Sequence, residues 1–429
     1  MLAGNYAPEE TASAPLNTDV CNYLAAAGHS VSVVTTFPHY PQWKVREEYA
    51  GRIYFHERIG DVSVRRIRNY IPQRPSPLKR VLYYSSFGVE AFLPACAAGR
   101  PDLVLCVTPP LELALSAYAL RLLRGVPFVL WIKDLMPDVA IQLGMLKNPV
   151  AIALARRLEQ FAYERAAKLL VLSQGFADNI ITKGIPHDKV HVVSDWVNTD
   201  FIKPEYFGNE FREQNGIFAA SFVVLHAGNI GDKQKLEVLV QAAKGLEQYK
   251  DIEFLIVGDG ARKAAVVAEA ARLGAWNVRF LPLQPAHLLP QMLASADVLA
   301  LHQHAGITDS VIPSKLLTYM ASGTPIVVTS AEGSGTQRLM SQAKCGLAVD
   351  PENPAAFADA VLHLYQDRNL RELCGASGRS FAVRNFSREA VLSRLESLFH
   401  EVAGISRQAS LPNEPLEPAT HRTMAARGQ

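Results

Sequence analysis

Phe222-Val223-Val224-Leu225-His226-Ala227-Gly228-Asn229-Ile230-Gly231-Asp232-Lys233-Gln234 decides how the chain is read. The run Phe222–Leu225 is apolar on both alternating faces and continues through His226 and Ala227. It stops at two glycines spaced three apart, and a helical pattern opens at Lys235. Strands of this kind belong to parallel sheets covered by helices on both sides. Glycines in the turn let backbone amides approach an anion beside the helix N-terminus, and Lys233 would add a point charge. A tight βα turn with a solvated lysine fits the same residues equally well.

The alternation extends both ways. Downstream, Ile252–Val257, Val278–Leu281, Val298–Leu301, Pro325–Thr329 and Gly346–Val349 read as strands. Lys235–Gln248, Ala261–Leu273, Pro285–Ala294, Ser314–Ser322 and Pro354–Gln366 read as helices. Upstream, His29–Phe37, Val62–Arg68, Asp102–Val107, Pro127–Ile132 and Lys168–Ser173 are strands. Thr18–Ala27, Leu111–Arg124, Pro149–Ala167 and Gln174–Lys183 are helices. Asp195–Tyr206, polar and carrying Pro204, interrupts the pattern as a linker. The expected fold is therefore α/β: two doubly wound, Rossmann-like parallel-sheet domains facing a cleft, over residues 1–197 and 198–386. A helix over 387–403 is expected to pack back on the first domain, and a tail over 404–429 has too few large apolar residues to order. Only Met1-Leu2-Ala3 precedes Gly4: either the first central strand is truncated or the native start lies upstream of Met1.

Bulk composition narrows the function classes. The 429 residues are 49% hydrophobic and 20% charged, enough for two cores. A formal net charge of +2 gives no global field for nucleic acid, so no nucleic-acid partner is expected. The five cysteines form no close pair, and no Cys/His cluster suggests zinc. The sequence shows neither a membrane-spanning apolar run nor a basic-then-apolar leader, and the expected location is cytoplasmic.

Two further segments repeat the strand–turn logic. Ile256-Val257-Gly258-Asp259-Gly260 ends a strand in glycines, over which a base or ribose could pack; a plain βα turn is the alternative. Pro313-Ser314-Lys315-Leu316-Leu317-Thr318 opens a helix that Gly323 and Pro325 close. Ser314 reads as an N-cap. Lys315 in the first turn opposes the helix dipole, and that mismatch favours an anion site over a merely well-capped helix.

Taken together, these three segments resemble the donor domain of family-4 glycosyltransferases of the GT-B fold, in particular those of bacterial exopolysaccharide, O-antigen and colanic-acid assembly. The resemblance also covers Gly4-Asn5-Tyr6-Ala7-Pro8-Glu9, Gly28–Thr35, Pro38-His39-Tyr40-Pro41, Trp131–Asp138 and Trp196–Phe201. It implies retaining transfer of a sugar from a UDP- or GDP-linked donor to a glycan or polyprenyl-linked acceptor. It implies no cofactor and no bound metal, and the chain contains no Asp-x-Asp. On this reading Gly228, Asn229, Gly231, Lys233, Ser314, Lys315, Leu316 and Leu317 hold the donor diphosphate. Gly258, Asp259, Gly260, Thr318 and Glu332 face the nucleoside and sugar, and Asn5, Tyr6 and His39 lie on the acceptor side. Asp134 is the catalytic or acceptor-orienting candidate; helix capping is its alternative, and a solvated loop acid is that of Glu332.

There are departures from the family pattern. Ser310 and Thr318 stand where many relatives carry an acidic pair, Ala12-Ser13-Ala14-Pro15 replaces a glycine-rich loop, and Lys235 stands where glycine is usual. His302 and His304, without a third ligand nearby, read as cleft-lining or loop residues. Arg65–Arg80 holds Arg65, Arg66, Arg68, Arg74, Lys79 and Arg80 with Tyr70 interleaved and no acid. It reads as a peripheral contact with anionic membrane or as a solvated basic loop. A UDP-sugar epimerase and a non-catalytic nucleotide-binding partner remain as functional alternatives. A nicotinamide-dependent oxidoreductase is weaker, since no full GxGxxG follows the first strand.

Overall fold

The computed structural model describes residues 1–10, 13–40, 42–74, 76–142, 144–204, 210–304 and 313–405. Ala12, Ser310 and residues 406–429 of the expected tail therefore lie outside the described residues.

The strands of the first sheet are β1 (Ser32–Thr36), β2 (Tyr54–Ile59), β3 (Val62–Ile67), β4 (Val104–Thr108), β5 (Phe128–Ile132), β6 (Lys168–Val171) and β7 (Val190–Val192). Those of the second are β8 (Phe222–Ala227), β9 (Ile252–Val257), β10 (Val278–Leu281), β11 (Val298–His302), β12 (Ile326–Thr329) and β13 (Gly346–Val349). In the second sheet all neighbours pair in parallel, in the spatial order β10-β9-β8-β11-β12-β13. The order reverses between β8 and β11. Ligands of open α/β sheets bind outside the carboxyl ends of strands at such a reversal.

The first sheet has the orders β1-β3-β2 and β4-β5-β6-β7, and Leu2 bridges both parts, pairing in parallel with Val34 and Cys106. Leu2 N–H donates to Leu105 O (2.7 Å), Ala3 N–H to Val34 O (3.1 Å), Val34 N–H to Met1 O (2.9 Å) and Val107 N–H to Leu2 O (2.9 Å). Short as it is, Met1–Ala3 closes the ladder and satisfies its neighbours' amides. The reversal of this lobe therefore lies between the turn after Ala3 and the turn after β4.

Several elements lie outside the expected series, among them β2, β7 and the helices Pro77–Glu90, Gly335–Ala343 and Arg368–Phe386. β2 pairs antiparallel with β3 at the sheet edge; its side chains are exposed or half-buried, so the chain shows no buried face there. Arg368–Phe386 is a helix of 19 residues. Its Gly375 and Gly378 are packing glycines: a Cβ at Gly375 would fall 2.2 Å from Gly323 O, and one at Gly378 2.7 Å from Cys345 Cβ. Backbone approach that close permits no side chain.

The Arg388–Ala403 helix packs on the first lobe. Leu392, Leu395 and Phe399 share a core with Ala3, Val20, Val107 and Trp131. Asp19 fastens the crossing, accepting from Trp196 Nε1 (2.7 Å) and from Arg388 Nε (2.8 Å). Arg379 ties the linker to the second lobe by donating to Thr199 O (2.9 Å), Ile202 O (2.6 Å) and Ala321 O (2.7 Å). No helix among the described residues is long and apolar enough to cross a membrane.

Candidate functional site

At the reversal of the second sheet, β8 ends at Ala227, just before Gly228, and the helix Ser314–Ser322 follows β11 in sequence. The Tyr319 hydroxyl accepts from Ala227 N–H (3.0 Å) and lies 3.3 Å from Ala227 O, pinning this helix to the end of β8. Lys315 is thereby laid over Gly228: a Cβ there would come within 2.8 Å of Lys315 Cε and 2.9 Å of Nζ. Lys315 Nζ lies 3.5 Å from His226 Nε2. His226 is fully buried and its Nδ1 meets Ala300 O at 3.2 Å, so Nδ1 carries the proton and Nε2 presents a lone pair to the ammonium. Burial holds the imidazole down at about 3 and brings Lys315 down to about 8. A partly desolvated cation beside first-turn amides, which have no intrahelical carbonyl, is suited to an anion.

The glycine turns themselves work differently from the expected amide cradle. Gly228 N–H donates to Val257 O (2.8 Å), Ile230 N–H to Asp259 O (2.9 Å), and Gly231 N–H to Gln234 Oε1 (3.1 Å), which also accepts from Asn229 Nδ2 (3.2 Å). These donors are occupied. The glycines are required because the two turns touch: a Cβ on Gly258 would sit 1.9 Å from Gly228 O, and one on Gly260 2.3 Å from Ile230 O. Asp259 is exposed and accepts from Gly260 N–H at 2.8 Å.

The remaining donor-side candidates are spread around this centre. Lys233 is exposed, with no ion pair among the described residues, and its carbonyl accepts from His304 N–H (3.0 Å). Ser314 is exposed and is not the N-cap: Pro313 occupies that position without a capping hydrogen bond, because the helix begins one residue early. Leu316 and Leu317 are core residues that anchor the helix, and Thr318 is half-buried, its hydroxyl donating to Ser314 O (3.4 Å). Glu332 is an exposed turn residue. His302 is buried, and burial pushes it down to about 4; His304 Nε2 lies 3.4 Å from Glu352. Lys235 adopts φ 43°, a left-handed conformation that accounts for the usual glycine there, and its Nζ pairs with Glu352 at 2.6 Å.

In the first lobe, Glu9 organises the loops at the sheet's reversal. Buried, it accepts from His39 N–H and Tyr40 N–H (2.8 Å each) and from Asn5 Nδ2 (2.9 Å). His39 is buried, and desolvation keeps its imidazole below the ordinary range; Nδ1 donates to Phe37 O (2.8 Å). Asn5 and His39 thus meet through Glu9. Tyr6 is interior, packed with Cys21, Val33, Val62 and Val64, and supports the loop from beneath. Asp134 follows β5 with an exposed side chain that has no hydrogen-bond partner among the described residues. It therefore caps no helix. Although the side chain reaches solvent, the surrounding protein partly desolvates the carboxyl and raises it above its ordinary range, while Lys133 pulls the other way. Lys133 itself turns to Asp195 (2.9 Å) and lies over the Trp131 ring.

Sequence reasoning passed over a cluster beside these loops. Trp43 meets His39, Tyr40 and Tyr83 at ring-centroid distances of 5.8, 6.2 and 5.4 Å, and Tyr83 meets Tyr84 at 5.3 Å. Glu112 accepts from Ser85 Oγ at 3.1 Å, and burial raises its carboxyl above the usual range. Among the described residues, the one trio of His and carboxylate groups near enough to share an ion is His29, Glu396 and His400. His29 precedes β1, so the trio lies at the amino ends of the strands, opposite these loops.

The basic segment is also redrawn. Arg65 and Arg66 belong to β3, and Arg66 points inward at 1% exposure, bonded to Glu57 (2.5 Å), Thr36 O (3.2 Å) and Ala7 O. The helix Pro77–Glu90 then starts at Ser76, whose hydroxyl accepts from Lys79 N–H. Arg68, Arg74 and Lys79 remain exposed near exposed Tyr70, Val81 and Leu82.

Comparison with known proteins follows the two lobes. Residues 15–196 match the model described as glycosyl transferase 4-like domain, and 208–381 that described as glycosyl transferases group 1. Over 399 residues the chain is 32% identical to the putative colanic acid biosynthesis glycosyl transferase WcaI of Escherichia coli strain K12, covering 90% of this chain and 96% of WcaI. It is 26% identical over 303 residues to the probable glycosyltransferase WbjE of Pseudomonas aeruginosa, covering 68% and 72%. Among solved structures, HepE of Anabaena in complex with UDP aligns with a TM-score of 0.67 at 15% identity, covering 93% of this chain and 99% of HepE. Sucrose-phosphate synthase from Thermosynechococcus elongatus aligns at 0.66 and 19% identity, covering 94% and 96%.

Proposed function

The chain belongs to the group 1, family-4 glycosyltransferases of the GT-B fold, and on that premise we propose that it moves a sugar from a UDP- or GDP-linked donor to a polyprenyl-linked glycan in surface-polysaccharide synthesis. Lys315 over Gly228 is the observation that carries this reading. Fixed positive charge at a sheet reversal matches a leaving group whose negative charge grows in the transition state. Lys233 and the first turn of the Ser314–Ser322 helix add to it. The similarity to WcaI supports a polysaccharide role, and the bound UDP of HepE supports a nucleoside-diphosphate donor.

The transfer retains anomeric configuration. The acceptor hydroxyl approaches the anomeric carbon on the face from which the diphosphate departs, its oxygen forms the new bond, and its proton passes to the departing phosphate oxygen. Neither a carboxylate nucleophile nor a divalent ion at the diphosphate is required, in keeping with a chain that contains no Asp-x-Asp. Asp134 orients the acceptor hydroxyl. Exposed Arg68, Arg74 and Lys79 beside Tyr70, Val81 and Leu82 support a peripheral contact with anionic lipid.

The test incubates the protein with labelled UDP- and GDP-sugars and a membrane lipid extract, in the presence of EDTA. Label in the lipid fraction is expected. Conversion of the free UDP-sugar would establish an epimerase instead; binding without turnover would make the chain a non-catalytic partner, a reading that Thr318 in place of an acid favours. Asp134→Asn should lower kcat about tenfold with donor KM unchanged, the size expected of lost orientation. A fully active variant would remove Asp134 from the mechanism.

A further inference from the structure

Trp43 has φ 54°, a left-handed conformation that is an outlier for a bulky side chain and costs of order 1–3 kcal/mol. Such a conformation persists where its surroundings over-determine it, and here they do. The ring is half-buried, edge-on to His39, Tyr40 and Tyr83, with the Arg80 guanidinium 5.7 Å from its centroid. Tyr84, also half-buried, continues the aromatic surface from Tyr83; burial raises its phenol, with Arg80 opposing and Asp134 and Glu112 adding to the rise. Glu112 is brought in by a backbone contact that only glycine allows: a Cβ on Gly88 would fall 2.4 Å from Glu112 Cβ. The loop after Ala3 borders the same place, where a Cβ on Gly4 would lie 3.8 Å from both Pro110 Cδ and the Tyr83 hydroxyl. This is the reversal of the first sheet, where a ligand is expected on topological grounds.

We infer that Trp43 and Tyr84 form a platform for a pyranose ring of the acceptor, with Glu112 and Asp134 placed to accept hydrogen bonds from its hydroxyls; the inference rests on the transferase reading above. The polarised C–H face of a sugar suits the negative face of an aromatic ring, and carboxyl oxygens accept hydrogen bonds from hydroxyls. The same two carboxylates repel a phosphate. The group docked against these carboxylates is therefore a neutral sugar, and Arg80, 5.7 Å from the Trp43 ring centre, is left to face any anionic part of the acceptor. It follows that the enzyme extends a sugar already on the lipid.

The experiment uses the full chain, the active labelled donor, a panel of octyl glycopyranosides and, in parallel, farnesyl phosphate. Transfer to at least one glycoside and none to farnesyl phosphate is expected. Trp43→Ala and Tyr84→Ala should each raise the glycoside KM about tenfold while donor KM and slow donor hydrolysis stay unchanged, and Trp43→Phe should restore most of the affinity. The intact hydrolysis shows that each variant is folded. Transfer to farnesyl phosphate instead of glycosides, donor hydrolysis with no glycoside accepted, or an unmoved glycoside KM in both variants overturns the subsite and leaves the transferase reading standing. Loss of both hydrolysis and transfer in the unmodified protein overturns the transferase reading, and the subsite with it.

Discussion

Lys315→Ala is expected to weaken binding of UDP or GDP by about 1–3 kcal/mol, roughly five- to 150-fold, the range for a hydrogen bond to a charged group. The size follows from position. Tyr319 holds the helix against the end of β8, His226 presents a lone pair to the ammonium, and the site is partly desolvated, so water screens the charge weakly. Lys233→Ala should cost less, because an exposed ammonium is screened by salt. A pH signature separates Lys315 from a general loss of fold. Burial lowers this lysine to about 8, so it is charged at neutral pH and loses its proton as pH rises through that value. Donor kcat/KM should therefore fall above about pH 8, towards tenfold per unit. Lys315→Arg keeps its charge throughout and should flatten the decline. Isothermal titration with UDP and GDP, together with rate profiles between pH 6 and about 9.5, measures both. Unchanged nucleotide affinity in Lys315→Ala and Lys233→Ala would defeat the donor site.

The parts of the molecule legible in its sequence are those governed by neighbours along the chain. β8 announces itself by a run that is apolar but for His226 and ends in glycine, and the Ser314–Ser322 helix by Gly323 and Pro325 at its end. Lys315 stood out because a cation in a first turn contradicts local propensity, and such contradictions collect at functional sites. The glycine turns are legible in sequence as turns, but the partners of their amides are not. A glycine required for close approach looks the same in sequence whether the approaching group is a phosphate or the carbonyl of another turn, and here it is Gly228 O and Ile230 O. His226, Tyr319, Glu9, Trp43 and Glu112 gain their roles through contacts distant in sequence. The Tyr319–Ala227 bond spans 92 residues and the Glu9–His39 bond 30. One signal was available: His226 is a polar residue inside a run otherwise wholly apolar. The edge strand β2 lacked a buried face, and the Arg368–Phe386 helix carries glycines that read as breaks until the Ser314–Ser322 helix is laid against them.

Arg66→Ala should destabilise the protein by about 3–5 kcal/mol, the range for removing one partner of a buried ion pair. In sequence Arg66 belongs to a basic stretch suited to anionic lipid, yet its guanidinium is sequestered. Nε donates to Glu57, Nη1 to Thr36 O and Nη2 to Ala7 O, and the Tyr49 ring lies 5.2 Å from its carbon. Removing it leaves a carboxylate 21% exposed without its cation and two carbonyls without donors, in a sheet whose neighbouring loops carry Glu9 and His39. Urea denaturation should show a lower midpoint with an unchanged slope, because the same surface is exposed on unfolding. Flotation with phosphatidylserine-containing vesicles supplies the contrast. Below the unfolding transition Arg66→Ala should float as the parent does, whereas Arg74→Ala with Lys79→Ala should detach without loss of stability, each exposed cation contributing about 1 kcal/mol near an anionic surface. A stable Arg66→Ala variant that no longer floats would reverse the assignment and return this arginine to the surface.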